Sequence, residues 1–227
     1  QMREIVLDTE TTGLNYKSGD RVIEVGCVEL MNHVSTDNNL HFYCSTNKSI
    51  ESGAIKVHGL TSEFLSKHPT FEDQAKKFID FIRNDTLIIH NADFDVGFIN
   101  NELNLIGRDK LKNKVIDTVS LARKTLNTRI ANLDYLCRRF SINLEERKLH
   151  GALLDSQLLA EVYLELIGGK QITMSLDAIE KKEVISIKNN NENPHLSPSV
   201  LLTKEETSEH KRLIKEIKNS LWEKMYY

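Results

Sequence analysis

Asp8 and Glu10 stand two residues apart in Asp8-Thr9-Glu10-Thr11-Thr12-Gly13, directly after an apolar run that ends at Leu7. On an extended strand, residues two apart point to the same face, so both carboxylates would aim into one site. Carboxylates this close repel each other and raise each other's pKa unless a cation compensates. Hard oxygen donors of this kind suit magnesium or manganese. Gly13 and the consecutive threonines would let the backbone approach a ligand. A second acidic group lies in His90-Asn91-Ala92-Asp93-Phe94-Asp95. Helix capping and a favourable first-turn charge explain Asp93. Asp95 follows Phe94 inside the helix, on a turn that a parallel crossover would bring beside the end of the first strand. The third group is His150 and Asp155 in Leu149-His150-Gly151-Ala152-Leu153-Leu154-Asp155. If His150 were already helical, Asp155 would sit about 140° around the axis from it. If His150 is looped, it can lean over a site to which Asp155 contributes a ligand. Each group alone also reads as a strand end, a cap or a helix end. Together, four carboxylates and one histidine are the parts of two-metal phosphodiester hydrolysis: cations to activate water and hold the leaving oxygen, and a base for the water's proton. Neutral histidine suits that base role near pH 7.

These side chains need elements that bring residues 8, 95 and 150 together. Glu4 to Leu7 reads as a short strand, Arg21 to Leu30 as the next and His41 to Cys44 as a third. Phe71, Ala75, Phe78, Ile79 and Ile82 fall at helical spacing within Phe71 to Arg83, and Thr86 to His90 follows as an apolar strand. Phe94 to Ile106 is a second amphipathic helix and Lys114 to Ile116 a brief strand. Helices are expected at about Val119 to Leu126, Leu133 to Phe140 and Ala152 to Ile167. Strands first, then strands separated by helices, give an α/β domain whose mixed sheet is an antiparallel meander followed by parallel crossovers.

The three groups resemble the motifs of the DEDDh exonuclease family, with Asp8 and Glu10 in the first, Asp95 in the second, and His150 with Asp155 in the third. The strings LDTETTGL, VHGLT, PTF, IHNADFDVGFIN and LHGALLDSQLLAEVYLELIGG extend the resemblance over most of Arg3 to Gly169. They are similar to the epsilon subunits of bacterial DNA polymerase III, which proofread by 3′-to-5′ exonuclease action. The resemblance implies a ribonuclease-H-like five-stranded mixed sheet flanked by helices, and two divalent cations, Mg2+ or Mn2+. Asp8 would bridge them, Glu10 and Asp155 would complete the first site, and Asp95 would serve the second. His150 would be the general base. Thr11, Thr12, Gly13 and Leu14 would hold or wedge the terminal nucleotide beside Asp8, Glu10 and Asp155, and His58 in Val57-His58-Gly59 matches a nucleotide-contacting histidine. Epsilon subunits often carry an acid shortly before that motif. Here the position reads Ser52-Gly53, with Glu51 displaced, so that contact has no assigned residue. The five residues set the reaction and not the sugar, so an RNA or short-oligonucleotide exonuclease is the alternative. A binding module that has lost catalysis is opposed by the complete acidic set.

Lys and Arg total 30 against 33 Asp and Glu, a formal charge of −3, which is unlike a protein that holds nucleic acid by counterion release alone. Cys27, Cys44 and Cys137 lack C-x-x-C spacing, which indicates neither a disulfide framework nor a zinc site and fits a reduced cytoplasm. No membrane-length apolar run is seen. Past Gly168 and Gly169 the composition shifts, and the Asn-rich stretch Lys188 to Pro198 makes residues 170–202 read as a flexible linker after a domain of residues 2–169. Within it, Gln171-Ile172-Thr173-Met174-Ser175-Leu176 resembles a clamp-binding motif, with Gln171 as polar anchor and Met174 and Leu176 as apolar plugs; a plain linker is the other reading. Residues 203–227 hold Leu213, Ile217 and Leu221 at four-residue spacing with Trp222 beside them. Such a helix either folds back on the domain or docks on a partner. The resemblance of SLWEK to epsilon tails implies that the partner is the polymerase III alpha subunit.

Overall fold

The computed structural model describes residues 2–180 together with Ser208, Glu209 and Arg212, and for residues 169–180 the backbone alone. The chain divides into two units, Gln1–Lys182 and Glu183–Tyr227. In the second, Ser208, Glu209 and Arg212 are helical. Residues 188–198, Leu213, Ile217, Leu221 and Trp222 lie outside the described residues.

Five strands form one sheet in the order β3-β2-β1-β4-β5: β1 (Arg3–Thr11), β2 (Val22–Met31), β3 (Val34–Tyr43), β4 (Thr86–Ile89) and β5 (Val115–Asp117). β2 is antiparallel to both β1 and β3, whereas β1, β4 and β5 run parallel, the meander followed by crossovers. Ile5, Val6 and Leu7 are all fully buried, as in a central strand covered on both faces. Alternation then divides its neighbours. Ile5 and Leu7 pack with Phe71, Ala75 and Phe78 of α3 (Phe71–Ile82) and with Phe98 and Ile99 of α4 (Ala92–Leu105). Val6, with Val28 and Ile88, packs against Ala122 of α5 (Thr118–Leu126), Leu136 of α6 (Leu133–Arg139) and Leu159 and Val162 of α7 (Ala152–Glu180). Even-numbered residues of β1 therefore face α7.

Gly26 sets how closely α7 approaches. A Cβ there would lie 2.3 Å from the Ala152 carbonyl carbon and oxygen and 2.4 Å from Leu153 N, so only glycine lets the start of the helix rest on the sheet. Ser156 Oγ donates to Gly26 O at 3.0 Å and fastens the contact. Because Gly26 is paired with Asp8, the first turn of α7 lies over the end of β1.

Several elements exceed the sequence reading. β1 does not stop at Leu7 but continues through Thr11, and β3 begins at Val34 because hairpin pairing with β2 sustains an otherwise polar strand. Two short helices, α1 (Ser52–His58) and α2 (Ser62–Leu65), occupy a segment to which the sequence reading assigns no element. Neither is long enough to show an apolar stripe; α1 ends at Gly59 in the left-handed conformation, φ 73, and the Thr61 side chain caps α2. α7 continues through Gly168 and Gly169 to Glu180, where a linker was expected from 170. Glycines weaken a helix by about 1 kcal/mol each without forbidding it. Gln171, Met174 and Leu176 fall on this helical backbone, and their side chains lie outside the described residues.

Candidate active site

Asp8 and Glu10 share the face of β1 that looks toward α7. The cross-strand partner of Glu10 is Glu24, itself buried and 2.7 Å from His41 Nε2 through Oε1. Thr9 points to the opposite face, where its backbone N and Oγ1 both donate to Asp95 Oδ1, at 3.1 and 2.6 Å. That pair of bonds fastens the first turn of α4 to the end of β1. β4 reaches this turn through Asn91, whose φ of 64 is left-handed, a conformation asparagine tolerates better than most side chains. Asp155 comes from the first turn of α7 and is buried. His150 stands outside that helix, the looped arrangement, with its backbone N donating to Val57 O of α1 at 3.0 Å. Its half-exposed ring has Nδ1 3.4 Å from Asp155 Oδ2. All five residues line one cleft of about 400 Å³ at the carboxyl ends of β1 and β4, the end at which open α/β sheets place ligands.

The cleft is short of positive charge. Burial first, then Asp95, Glu10, Asp155 and Glu24, push the Asp8 pKa far above the usual carboxylate range. Burial and the charge of Glu24 raise Glu10 to about 8. Burial raises Asp95 to about 7, against the opposing hydrogen bonds from Thr9. Such groups ionise together only beside a compensating cation. One ligand atom each from Glu10, His150 and Asp155 can be chosen so that all lie within 4.8 Å of one another, so this group can hold a divalent cation, and its carboxylate oxygens are the hard donors that Mg2+ and Mn2+ favour.

Thr11, Gly13, Leu14 and His58 line a second hollow that shares Thr9, Glu10 and Phe94 with the first. Leu14 is 80% exposed at its rim. Leu60 N donates to His58 Nδ1 at 3.0 Å, which leaves the proton of the neutral ring on Nε2. That atom is buried without a hydrogen-bond partner of normal geometry, and burial holds the ring's pKa below its usual value. Thr12 departs from the expectation. It is fully buried, its Oγ1 accepts from Arg21 N at 3.0 Å, and its backbone is paired to Arg21 O and Glu51 N, so it shapes the loop from behind. Gly13 too is needed for packing more than for ligand approach, since a Cβ there would meet the Asp20 and Glu51 carboxylates at 2.5 and 2.7 Å.

Four residues of these two hollows and their walls escape the motif reading. Arg147 and Asp134 line the cleft, Glu51 lines the second hollow from the N-cap of α1, and Glu24 stands beside Glu10. Two of them carried a legible signal: Glu24 is an acid inside a largely apolar strand, and Glu51 is the displaced acid before Val57-His58-Gly59. Arg147 sits in an irregular loop where an arginine is unremarkable by type.

Residues 5–163 match the family model described as exonuclease, RNase_T. The DNA polymerase III subunit epsilon of Rickettsia felis is 40% identical over 222 residues, covering 95% of this chain and 97% of that one. The subunit of the same name from Escherichia coli K12 is 46% identical over 176 residues, 74% of this chain and 72% of that one. The nuclease domain of 3′hExo, a DEDDh family member bound to rAMP, shares the fold at a TM-score of 0.65 and 17% identity, covering 73% of this chain and 92% of that one. Exonuclease X in complex with 5′ overhanging duplex DNA does so at a TM-score of 0.60 and 20% identity over 74% and 93%. Among the described residues no helix is long and apolar enough to cross a membrane.

Proposed function

The chain belongs to the exonuclease family and, within it, to the DNA polymerase III epsilon subunits, and from that premise we propose that it removes mispaired nucleotides from DNA 3′ ends as nucleoside 5′-monophosphates. The observation that carries this reading is the meeting of Asp8, Glu10, Asp95, Asp155 and His150 in one cleft beside the hollow that contains His58.

Asp8, Glu10 and Asp155, with Asp95 across the cleft, would hold the divalent cations. When bound, such ions supply an activated water and charge stabilisation at the phosphoryl oxygens. His150 takes the proton of the attacking water, which adds in line to phosphorus as the 3′ oxygen of the penultimate nucleotide leaves. His58 offers its Nε2 proton to the terminal nucleotide, and Leu14 wedges against its base. A frayed end reaches this hollow more readily than a paired one, because unpairing costs a few kcal/mol that a mismatch has already partly met. Residues 2–169 form the catalytic domain in this scheme. Gln171, Met174 and Leu176 give a contact for the sliding clamp, and residues 203–227, through Leu213, Ile217, Leu221 and Trp222, dock on the polymerase III alpha subunit in the cytoplasm. A tether of this kind raises the effective concentration of the nuclease at the primer end.

The test is a 5′-labelled primer, matched or mismatched at its 3′ end, with and without Mg2+, against an RNA strand of the same sequence. Release of 5′-monophosphates that is faster from the mismatch, requires the cation and favours DNA is expected. Preference for RNA would reassign the substrate. A chain ending at Lys182 should keep hydrolysis of a short single strand and lose capture of the alpha subunit.

A further inference from the structure

The guanidinium of Arg147 touches three groups of the cleft at once. Its Nε and Nη2 donate to Asp155 Oδ1 and Oδ2 at 2.6 and 2.7 Å, its Nη1 donates to Asp134 Oδ1, and Nη2 lies 3.2 Å from His150 Nδ1. A guanidinium has only N–H donors, so both oxygens of Asp155, and His150 Nδ1 in the tautomer that leaves it unprotonated, are directed at the same cation. Its side chain is only 7% exposed, and it is the only Lys or Arg among the described residues that line the cleft. The fork matches a carboxylate in two-point fashion, which a lysine ammonium cannot reproduce. Asp134, at the start of α6, is different in kind: its side chain is 47% exposed, and it has no part in the cation site proposed above.

We propose that Arg147 is a positioning residue that serves as an internal counter-cation, holding Asp155 and His150 in the metal-free protein and competing with a divalent cation for Asp155. Asp134 is the anchor that retains the guanidinium when Asp155 is given up. The inference rests on the reading of the four carboxylates as a cation site. It predicts opposite signs for two substitutions on one ion-pair chain. Loss of Arg147 leaves the carboxylates uncompensated, so the metal-free protein is less stable and the cation binds more tightly. Loss of the Asp134 charge leaves Arg147 leaning wholly on Asp155, so the cation binds more weakly. An arginine that merely braced the loop from Ser141 to His150 would weaken binding in both cases, because either substitution would loosen that loop.

The experiment is calorimetric titration of the full chain with Mn2+, without DNA, together with thermal melts in EDTA and in Mn2+, for the wild type, Arg147→Ala, Arg147→Lys and Asp134→Asn. Arg147→Ala should bind Mn2+ about tenfold more tightly or better, the scale of a charge-assisted hydrogen bond. It should melt lower in EDTA and gain more on adding Mn2+. Arg147→Lys should fall between it and the wild type, and Asp134→Asn should bind more weakly than the wild type. Unchanged or weaker binding by Arg147→Ala overturns the competition, and unchanged or tighter binding by Asp134→Asn overturns the anchor. If Arg147→Ala does not fold in EDTA, the order Asp134→Asn, wild type, Arg147→Lys in rising affinity decides the matter. A wild type that binds no Mn2+ overturns the cation site itself, a result distinct from binding that the substitutions leave unmoved.

Discussion

The two ends of β1 both bury acidic groups, and they treat them in opposite ways. At the N-terminal end Arg3 donates to Glu29, to Asp85 Oδ2 at 2.5 Å and to Phe81 O at 2.8 Å. Glu4 accepts from Tyr163 Oη at 2.8 Å and lies 3.0 Å from His33 Nδ1. Burial alone would raise the Glu29 pKa, but the hydrogen bonds from Arg3, Thr36 and Asn38 outweigh it and hold the carboxyl below its ordinary value. At the C-terminal end, Asp8 and Glu10 face Asp95, Asp155 and Glu24, and burial with mutual repulsion drives their pKa values upward. Only a few strand residues separate the two situations. A buried acid surrounded by donors is a fastening, whereas a buried acid surrounded by acids is an incomplete site that calls for a cation.

The sharpest way to break this contrast is to remove an acid from the second end. Asp8→Ala should lower the exonuclease rate by about a thousandfold or more, since a cation site supplies several kcal/mol of transition-state stabilisation. The same variant should melt in EDTA at the wild-type temperature or above it, because a repelling charge has gone; a clear drop in that temperature would make Asp8 structural. His150→Ala should slow the reaction by about a hundredfold or more with Mn2+ affinity changed far less than by Asp8→Ala, a distinction that titration and single-turnover rates would make together. At the opposite end, Arg3→Met strands Glu29 and Asp85 and should cost about 3 kcal/mol in denaturant unfolding. Its exonuclease rate per folded molecule should stay at wild type, and loss of rate without loss of stability would erase the contrast.

The smallest effect is a pH dependence of the metal-free chain. Glu10 and Asp95 ionise at about 8 and about 7 in the folded protein, above their unfolded values. The native state therefore holds protons that the unfolded chain releases, and the stability they contribute is full at low pH and is lost as pH rises through those folded values. Asp8, Asp155, His150 and Arg147 line the same cleft, and Glu24 lies beside Glu10. Melting temperature in EDTA should decline between about pH 5 and about pH 8, and Mn2+ should remove most of the decline. A flat profile in EDTA would mean that the carboxylates are not mutually unfavourable.

Much of this molecule was legible without coordinates. Asp8, Glu10, Asp95, His150 and Asp155 stand out because strand alternation, helix starts and motif strings are local features of a chain. The five strands, α3 and the outlines of α4 to α7 follow from apolar periodicity in the same way. What tertiary structure alone decided is carried by contacts between segments far apart in sequence. Thr9 holds Asp95 across 86 residues; Val57, in a helix too short to show a period, fixes the backbone of His150; and Gly26 matters because Ala152 lies against it. Thr12 reads as a ligand-loop residue by sequence and is turned inward by its bond with Arg21. Arg147 is the extreme case, an arginine in a polar loop whose role exists only once Asp134, His150 and Asp155 surround it. Periodicity records which face of an element is buried, but the partner that meets a lone charge in a loop is set by chain topology, and no local pattern encodes that.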